Sequence, residues 1–154
     1  MLTEEIKRKI EAEIETCPNT QCACIEALQI VQQQYGWISD EGLKAIAQFL
    51  DMTVDELDSI ATFYNRIYRQ PVGRHVILIC SSVSCWIMGF EGVSDYLMQR
   101  LGVGLGETTS DGRFTLLPVQ CLGACDHAPA MMIDDELYWD LDRQKIDTLL
   151  ERHK

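Results

Sequence analysis

Two short cysteine pairs, each placed just beyond an apolar run, constrain this chain more than anything else in it. Cys80-Ser-Ser-Val-Ser-Cys85 follows His75-Val76-Ile77-Leu78-Ile79, a β-branched stretch with the length of a buried strand. Cys121-Leu-Gly-Ala-Cys125 comes soon after Arg113-Phe114-Thr115-Leu116-Leu117, which the Asp111-Gly112 turn signal introduces as a second strand. Between them Val93, Tyr96, Leu97 and Leu101 share one helical face, and Gly102 is placed to stop that helix. A strand, a helix and a second strand make a crossover unit whose strands run parallel. Both cysteine pairs then leave the sheet at the same C-terminal edge, and four thiols distant in sequence converge.

Downstream, Ala130-Met131-Met132-Ile133 and Leu137-Tyr138-Trp139 flank Asp134-Asp135-Glu136 as a hairpin. Asp142 caps a last helix bearing Ile146, Leu149 and Leu150. A βαβ unit followed by ββα is the plan of a thioredoxin-like domain, expected over residues 73–154. Pro129 stands just before the hairpin, where such a fold often has a cis proline, and either isomer is open from sequence.

The first part of the chain, residues 1–72, reads as a bundle of short amphipathic helices. Thr3 caps a segment with Ile6, Ile10 and Ile14 on one stripe. After Pro18, Asn19 or Thr20 caps a second helix carrying Cys24, Leu28, Val31 and Tyr35, which Gly36 ends. Ser39 opens a third, with Leu43, Ile46, Ala47 and Leu50. Thr53-Val54-Asp55-Glu56 is a capping box for a fourth, with Leu57, Ile60 and Ala61 inward. The fold class is therefore α/β (α+β overall), a helical bundle followed by the thioredoxin-like domain.

Composition narrows the chemistry. Asp and Glu number 24 against 13 Lys and Arg, a formal net charge of -11, so there is no basic surface for nucleic acid. No apolar run reaches the roughly 20 residues that span a bilayer, and direct membrane insertion is not expected. Met1-Leu2-Thr3-Glu4-Glu5-Ile6 lacks the basic start and apolar stretch of a secretory signal, which points to a reducing cytosol. Seven cysteines there suggest metal or redox chemistry before structural disulfides.

Four thiolates in two pairs are what a [2Fe–2S] cluster needs, since each tetrahedral iron takes two cysteines and two bridging sulfides. Structural zinc usually has two-residue spacers in its pairs, and a thioredoxin dithiol needs Cys-x-x-Cys. The plant-type ferredoxin spacing is absent as well, so spacing favours the two-iron cluster without excluding a zinc-stabilised module. Gly123 is the best placed residue for a close backbone approach to sulfur.

Simpler readings fit the other conspicuous residues. Cys24 is a small core hydrophobe, Cys22 diverges from it by about 200° on a helix, and Cys17 is an exposed thiol without a role. His127 reads as an exposed loop histidine, Met131 and Met132 as strand core. Trp37, Trp86 and Trp139 read as packing residues, with Trp86 also able to shield a cluster from water. Gly102-Val103-Gly104-Leu105-Gly106 follows a helix and is a surface loop, not a phosphate cradle. No Ser-His-Asp or paired-carboxylate arrangement stands out, so the chain is expected to catalyse nothing alone.

At these residues the sequence resembles the small [2Fe–2S] subunit of NADH:quinone oxidoreductase, respiratory complex I. The resemblance rests on Cys80-Ser-Ser-Val-Ser-Cys85, on Arg113-Phe114-Thr115-Leu116-Leu117-Pro118 with Cys121-Leu122-Gly123-Ala124-Cys125, and on Ala130-Met131-Met132-Ile133-Asp134. Tyr35-Gly36-Trp37-Ile38 and Ala61-Thr62-Phe63-Tyr64 match in the helical half. It implies a [2Fe–2S] cluster on Cys80, Cys85, Cys121 and Cys125, exchanging single electrons with the FMN of an NADH-binding partner. FMN and NADH would sit on that partner, which belongs with the rest of the peripheral arm on the cytoplasmic side of the inner membrane. Equivalent subunits of NAD-reducing hydrogenases and NAD-dependent formate dehydrogenases share these motifs. A free ferredoxin and a zinc-stabilised scaffold are the readings of other classes. Cys17, Cys22 and Cys24 lie outside the family's ligand set.

Overall fold

The structure, a computed structural model, describes residues 2–153 and divides into two compact units, Met1–Pro71 and Val72–Lys154. In the first, local chemistry sets each helix boundary. Helix α1 spans Glu4–Glu15, and its Thr3 cap accepts the Ile6 N–H. Helix α2 spans Cys24–Tyr35 and ends on Gly36, whose φ of 83° puts it in the left-handed region that glycine enters without strain. Helix α3, Asp40–Phe49, is capped by Ser39. Helix α4, Val54–Phe63, has the full reciprocal capping box of Thr53 and Glu56.

These helices share one core. Ile10, Leu28, Ile38, Ile46, Leu50 and Leu57 have no exposed surface at all, and each contributes about 1.5–3 kcal/mol from burial. The second helix starts later than its pattern suggests. Asn19 caps a short 3-10 turn, Thr20–Ala23, by accepting the Cys22 N–H, and α2 proper begins at Cys24.

The second unit is a five-stranded sheet in the order β2-β3-β1-β4-β5. Strands β1 (His75–Cys80) and β3 (Phe114–Val119) run parallel in register, from His75 beside Phe114 to Cys80 beside Val119. Strands β4 (Met131–Ile133) and β5 (Glu136–Tyr138) form an antiparallel hairpin on β1, and β2 (Glu107–Thr108) borders β3. Helices α6 (Phe90–Leu101) and α7 (Arg143–Arg152) pack against each other, and a core of Ile77, Ile79, Leu97, Phe114, Leu116, Met131 and Ile146 includes residues of both.

Differences from the sequence expectation have physical causes. The segment after Cys80 contains a helix, α5 (Val83–Ile87), too short to show an apolar period. Strand β3 runs on through Pro118 because β2 pairs only as far as Leu116, so no ladder bond needs the N–H that proline lacks. The β2 edge is two exposed polar residues and carries no pattern. The Ala128–Pro129 bond is cis.

Candidate metal centre

Each cysteine pair is built by a different kind of local structure. Cys80 ends β1, where its N–H bonds the Ala130 carbonyl at 3.1 Å. Ser81 caps the neighbouring strand end, its N–H and Oγ both donating to the Val119 carbonyl at 2.9 and 3.0 Å. The chain then turns into α5, which carries Cys85 back over the sheet edge. Cys80 and Cys85 are 3% and 2% exposed and sit in a small apolar cluster with Ala128 and Ala130. Cys121 and Cys125 lie beyond β3 on an exposed turn closed by a short 3-10 segment, with their sulfurs 3.3 Å apart.

Hydrogen bonds aim donors at these sulfurs. Gly123, at φ 84°, turns its N–H onto Cys121 Sγ at 3.3 Å. That bond holds the Cys121 thiol below its ordinary range, with the Cys125 contact adding to it. The hydrogen bond to Cys121 in turn raises Cys125, opposed by the nearby Ser84 side chain on α5. Burial first, and then contact with Cys80, push Cys85 up to about 11, while the Ala130 backbone works the other way. Ser84 therefore puts a hydroxyl from the first pair's segment beside the second pair.

The structure thus brings Cys80, Cys85, Cys121 and Cys125 to one edge of the sheet as two pairs. Among the described residues, no group of three or more His, Cys, Asp or Glu side chains is arranged to hold a single metal ion. Two pairs of thiols with N–H and hydroxyl donors and small neighbouring residues suit a binuclear cluster, in which each iron takes two cysteines. The donor set fits the group. In binding it, four thiols must give up their protons, and burial makes Cys85 resist that.

Other candidates fall where the simpler readings put them. His127 is a loop residue whose Nδ1 lies 3.0 Å from Asp140, and its side chain is half exposed. Met131 is fully buried in β4, and Cys24 is buried in the helical core. Trp86 is not a packing residue: it is 57% exposed, and Val83, Ile87 and Met88 beside it are exposed as well. Trp139 is exposed too. A five-residue helix cannot bury residues on all sides, so whatever faces away from the Cys85 side meets solvent. Sequence reasoning missed Ser84 and Ala130; Ser84 lies inside the first cysteine motif, but only the placement of α5 reveals its partner.

The family model of the thioredoxin-like [2Fe–2S] ferredoxins matches residues 10–154. The chain belongs to that family, and its cofactor is a [2Fe–2S] cluster. It is 47% identical over 153 residues to the E subunit of the NADH-quinone oxidoreductase of Pseudomonas aeruginosa, covering 99% of this chain and 92% of that one. Against the corresponding protein of Escherichia coli K12 the identity is also 47%, over 148 residues, covering 96% and 89%. Among solved structures, the NAD+-reducing [NiFe]-hydrogenase in its H2-reduced state matches with a TM-score of 0.69 at 24% identity, a likeness of fold. That match covers 82% of this chain and spans only 22% of the much longer hydrogenase chain.

Proposed function

We propose that this chain is the electron-transfer subunit of an NADH:quinone oxidoreductase, holding its [2Fe–2S] cluster on Cys80, Cys85, Cys121 and Cys125. The observation that carries the assignment is the arrival of both cysteine pairs at the C-terminal edge of parallel β1 and β3, with the Cys121 and Cys125 sulfurs 3.3 Å apart. When bound, the cluster supplies a site that accepts and returns one electron at a time. The residues of this chain do the rest. Cys80 and Cys85 hold one side within an apolar lining that keeps water away. Cys121 and Cys125 hold the other side at the surface, where a redox partner can approach. Gly123, Ala130 and Ser84 direct donors at the sulfurs and so favour the more negative, reduced state.

The partner in this reading is a protein that binds FMN and NADH, within an assembly on the cytoplasmic side of the membrane. The exposed residues Val83, Trp86, Ile87 and Met88 next to Cys85 support docking beside the cluster, since an apolar group of that size is uncommon on a free surface. No helix among the described residues is long and apolar enough to cross a membrane, so attachment runs through the partners.

Iron and acid-labile sulfide analysis with EPR tests the assignment. Two irons and two sulfides per chain, a rhombic signal on dithionite reduction, and an altered signal in Cys121→Ser are the expected results. Zinc in anaerobically purified protein, or a Cys121→Ser spectrum identical to the parent, overturns it. Reduction by NADH only when the flavin-binding partner is added checks the second step.

A further inference from the structure

Three cysteines remain outside the two pairs, all in the helical unit. Two of them meet. Beyond the end of α1 the chain winds on in a tightened turn, with the Thr16 N–H on the Glu13 carbonyl at 3.1 Å and the Cys17 N–H on the Ile14 carbonyl at 3.0 Å. After Pro18 it reverses into the 3-10 turn, where the Cys22 N–H is held by Asn19 through its carbonyl at 3.3 Å and its Oδ1 at 2.9 Å. Both cysteine backbones are therefore fixed by hydrogen bonds at the two ends of a short reversal that packs the 3-10 turn against α1. The two thiols are near enough to interact: the neighbouring Cys22 side chain raises Cys17 above the ordinary thiol range. Cys22 is exposed and Cys17 half-buried, so small solutes reach both, whereas Cys24 is turned into the helical core.

We propose that Cys17 and Cys22 are a redox-active dithiol that closes to a disulfide on meeting a small-molecule disulfide such as oxidised glutathione. The Cys22 thiolate attacks one sulfur of the oxidant, forming a mixed disulfide and releasing one glutathione thiolate. Cys17 then gives its proton to solvent and attacks the Cys22 sulfur, expelling the second glutathione thiolate. Two protein thiols thereby lose two protons and two electrons, and the oxidant's disulfide becomes two thiols. The bond joins the end of α1 to the turn that leads into α2. In the reduced chain, packing of Ile6 and Ile10 holds α1 in place there without a covalent tie. Exposure with a neighbouring resolving thiol is the setting in which cysteine oxidation is reversible and site-selective.

The experiment uses the full chain, purified anaerobically with its cluster in place, and graded oxidised glutathione. Alkylation, proteolysis and mass mapping identify the thiols consumed, and the visible spectrum follows the cluster. The expected product links Cys17 to Cys22 with the loss of two hydrogens, leaves Cys24 as the one alkylated residue of the three, and reverts with dithiothreitol at an unchanged spectrum. In Cys17→Ser the Cys22–glutathione adduct accumulates about tenfold over the parent, because nothing resolves it. Stable adducts on both cysteines of the parent, a bond to Cys24 instead, or a link that forms only after the spectrum has bleached each overturn the proposal.

Discussion

The two cysteine pairs have the same chemistry and opposite surroundings. Cys80 and Cys85 lie almost wholly buried, one at a strand end and the other on a helix, enclosed by alanines. Cys121 and Cys125 lie on an exposed turn, where the Gly123 N–H serves the Cys121 sulfur and the two sulfurs lie 3.3 Å apart. One pair is placed by packing, the other by hydrogen bonds. The contrast teaches how a protein can hold a charged group at its edge: the buried thiols fix position and exclude water, while the exposed thiols bear charge where water can screen it.

Serine substitution breaks the comparison most sharply. Cys85→Ser is expected to abolish cluster assembly, read as iron content falling to background, because a buried hydroxyl must lose a proton and cannot relax toward water. Cys121→Ser keeps iron, with serine oxygen in place of sulfur and a shifted absorption spectrum. Next in size are apolar truncations beside each pair. Ile79→Ala, next to Cys80 in β1 but packed in the sheet core, is expected to cost about 2–5 kcal/mol in urea unfolding, whereas Leu122→Ala, half-buried beside the exposed pair, costs about 1 kcal/mol.

In metal-free protein alkali should also single out Cys85. Folding raises Cys85 from its ordinary 9.0 to about 11, so the native state holds that proton longer than the unfolded chain does. The stability linked to it is intact below pH 9 and is lost as pH rises toward about 11, and Cys85→Ala should flatten that part of the curve in thermal melts. Smallest are changes to the donors. Gly123→Ala forces a side chain into the left-handed region and is expected to cost about 1–2 kcal/mol in stability. Ser84→Ala removes the hydroxyl from Cys125 and should move the reduction potential to a more negative value, read by titration with EPR, with no loss of iron.

Much of the fold is legible in the sequence because it rests on local rules. Thr3, Ser39, Thr53 and Asp142 cap helices where their side chains reach a backbone N–H, and Gly36 ends one by taking a positive φ. The β1 strand runs from His75 to Cys80 as its β-branched pattern suggests, and β3 beside it sets the edge where the cysteines gather. What stays hidden depends on distance in sequence or on shortness. Helix α5 has five residues and no period, so the exposed face of Trp86 and the reach of Ser84 to Cys125 are invisible there. Ala130 approaches Cys85 only because β4 pairs with β1, and no spacing rule encodes that. On a continuous helix Cys22 would diverge from its neighbours, whereas the 3-10 turn at Thr20–Ala23 brings it near enough to Cys17 to raise that thiol.

The helical unit does not end where its last helix ends. Past Phe63 the chain doubles back, and Gln32 grips it from both sides, its Nε2 donating to the Arg66 carbonyl at 2.8 Å and its Oε1 accepting the Tyr68 N–H at 2.6 Å. Arg69 then reaches Asp58 and Asp40, each at 2.7 Å, and the Ile38 carbonyl. These residues act as a latch across three earlier segments, so anyone excising the bundle for separate expression must cut after Pro71. A fragment stopped at Phe63 would keep every helix and leave its latch behind.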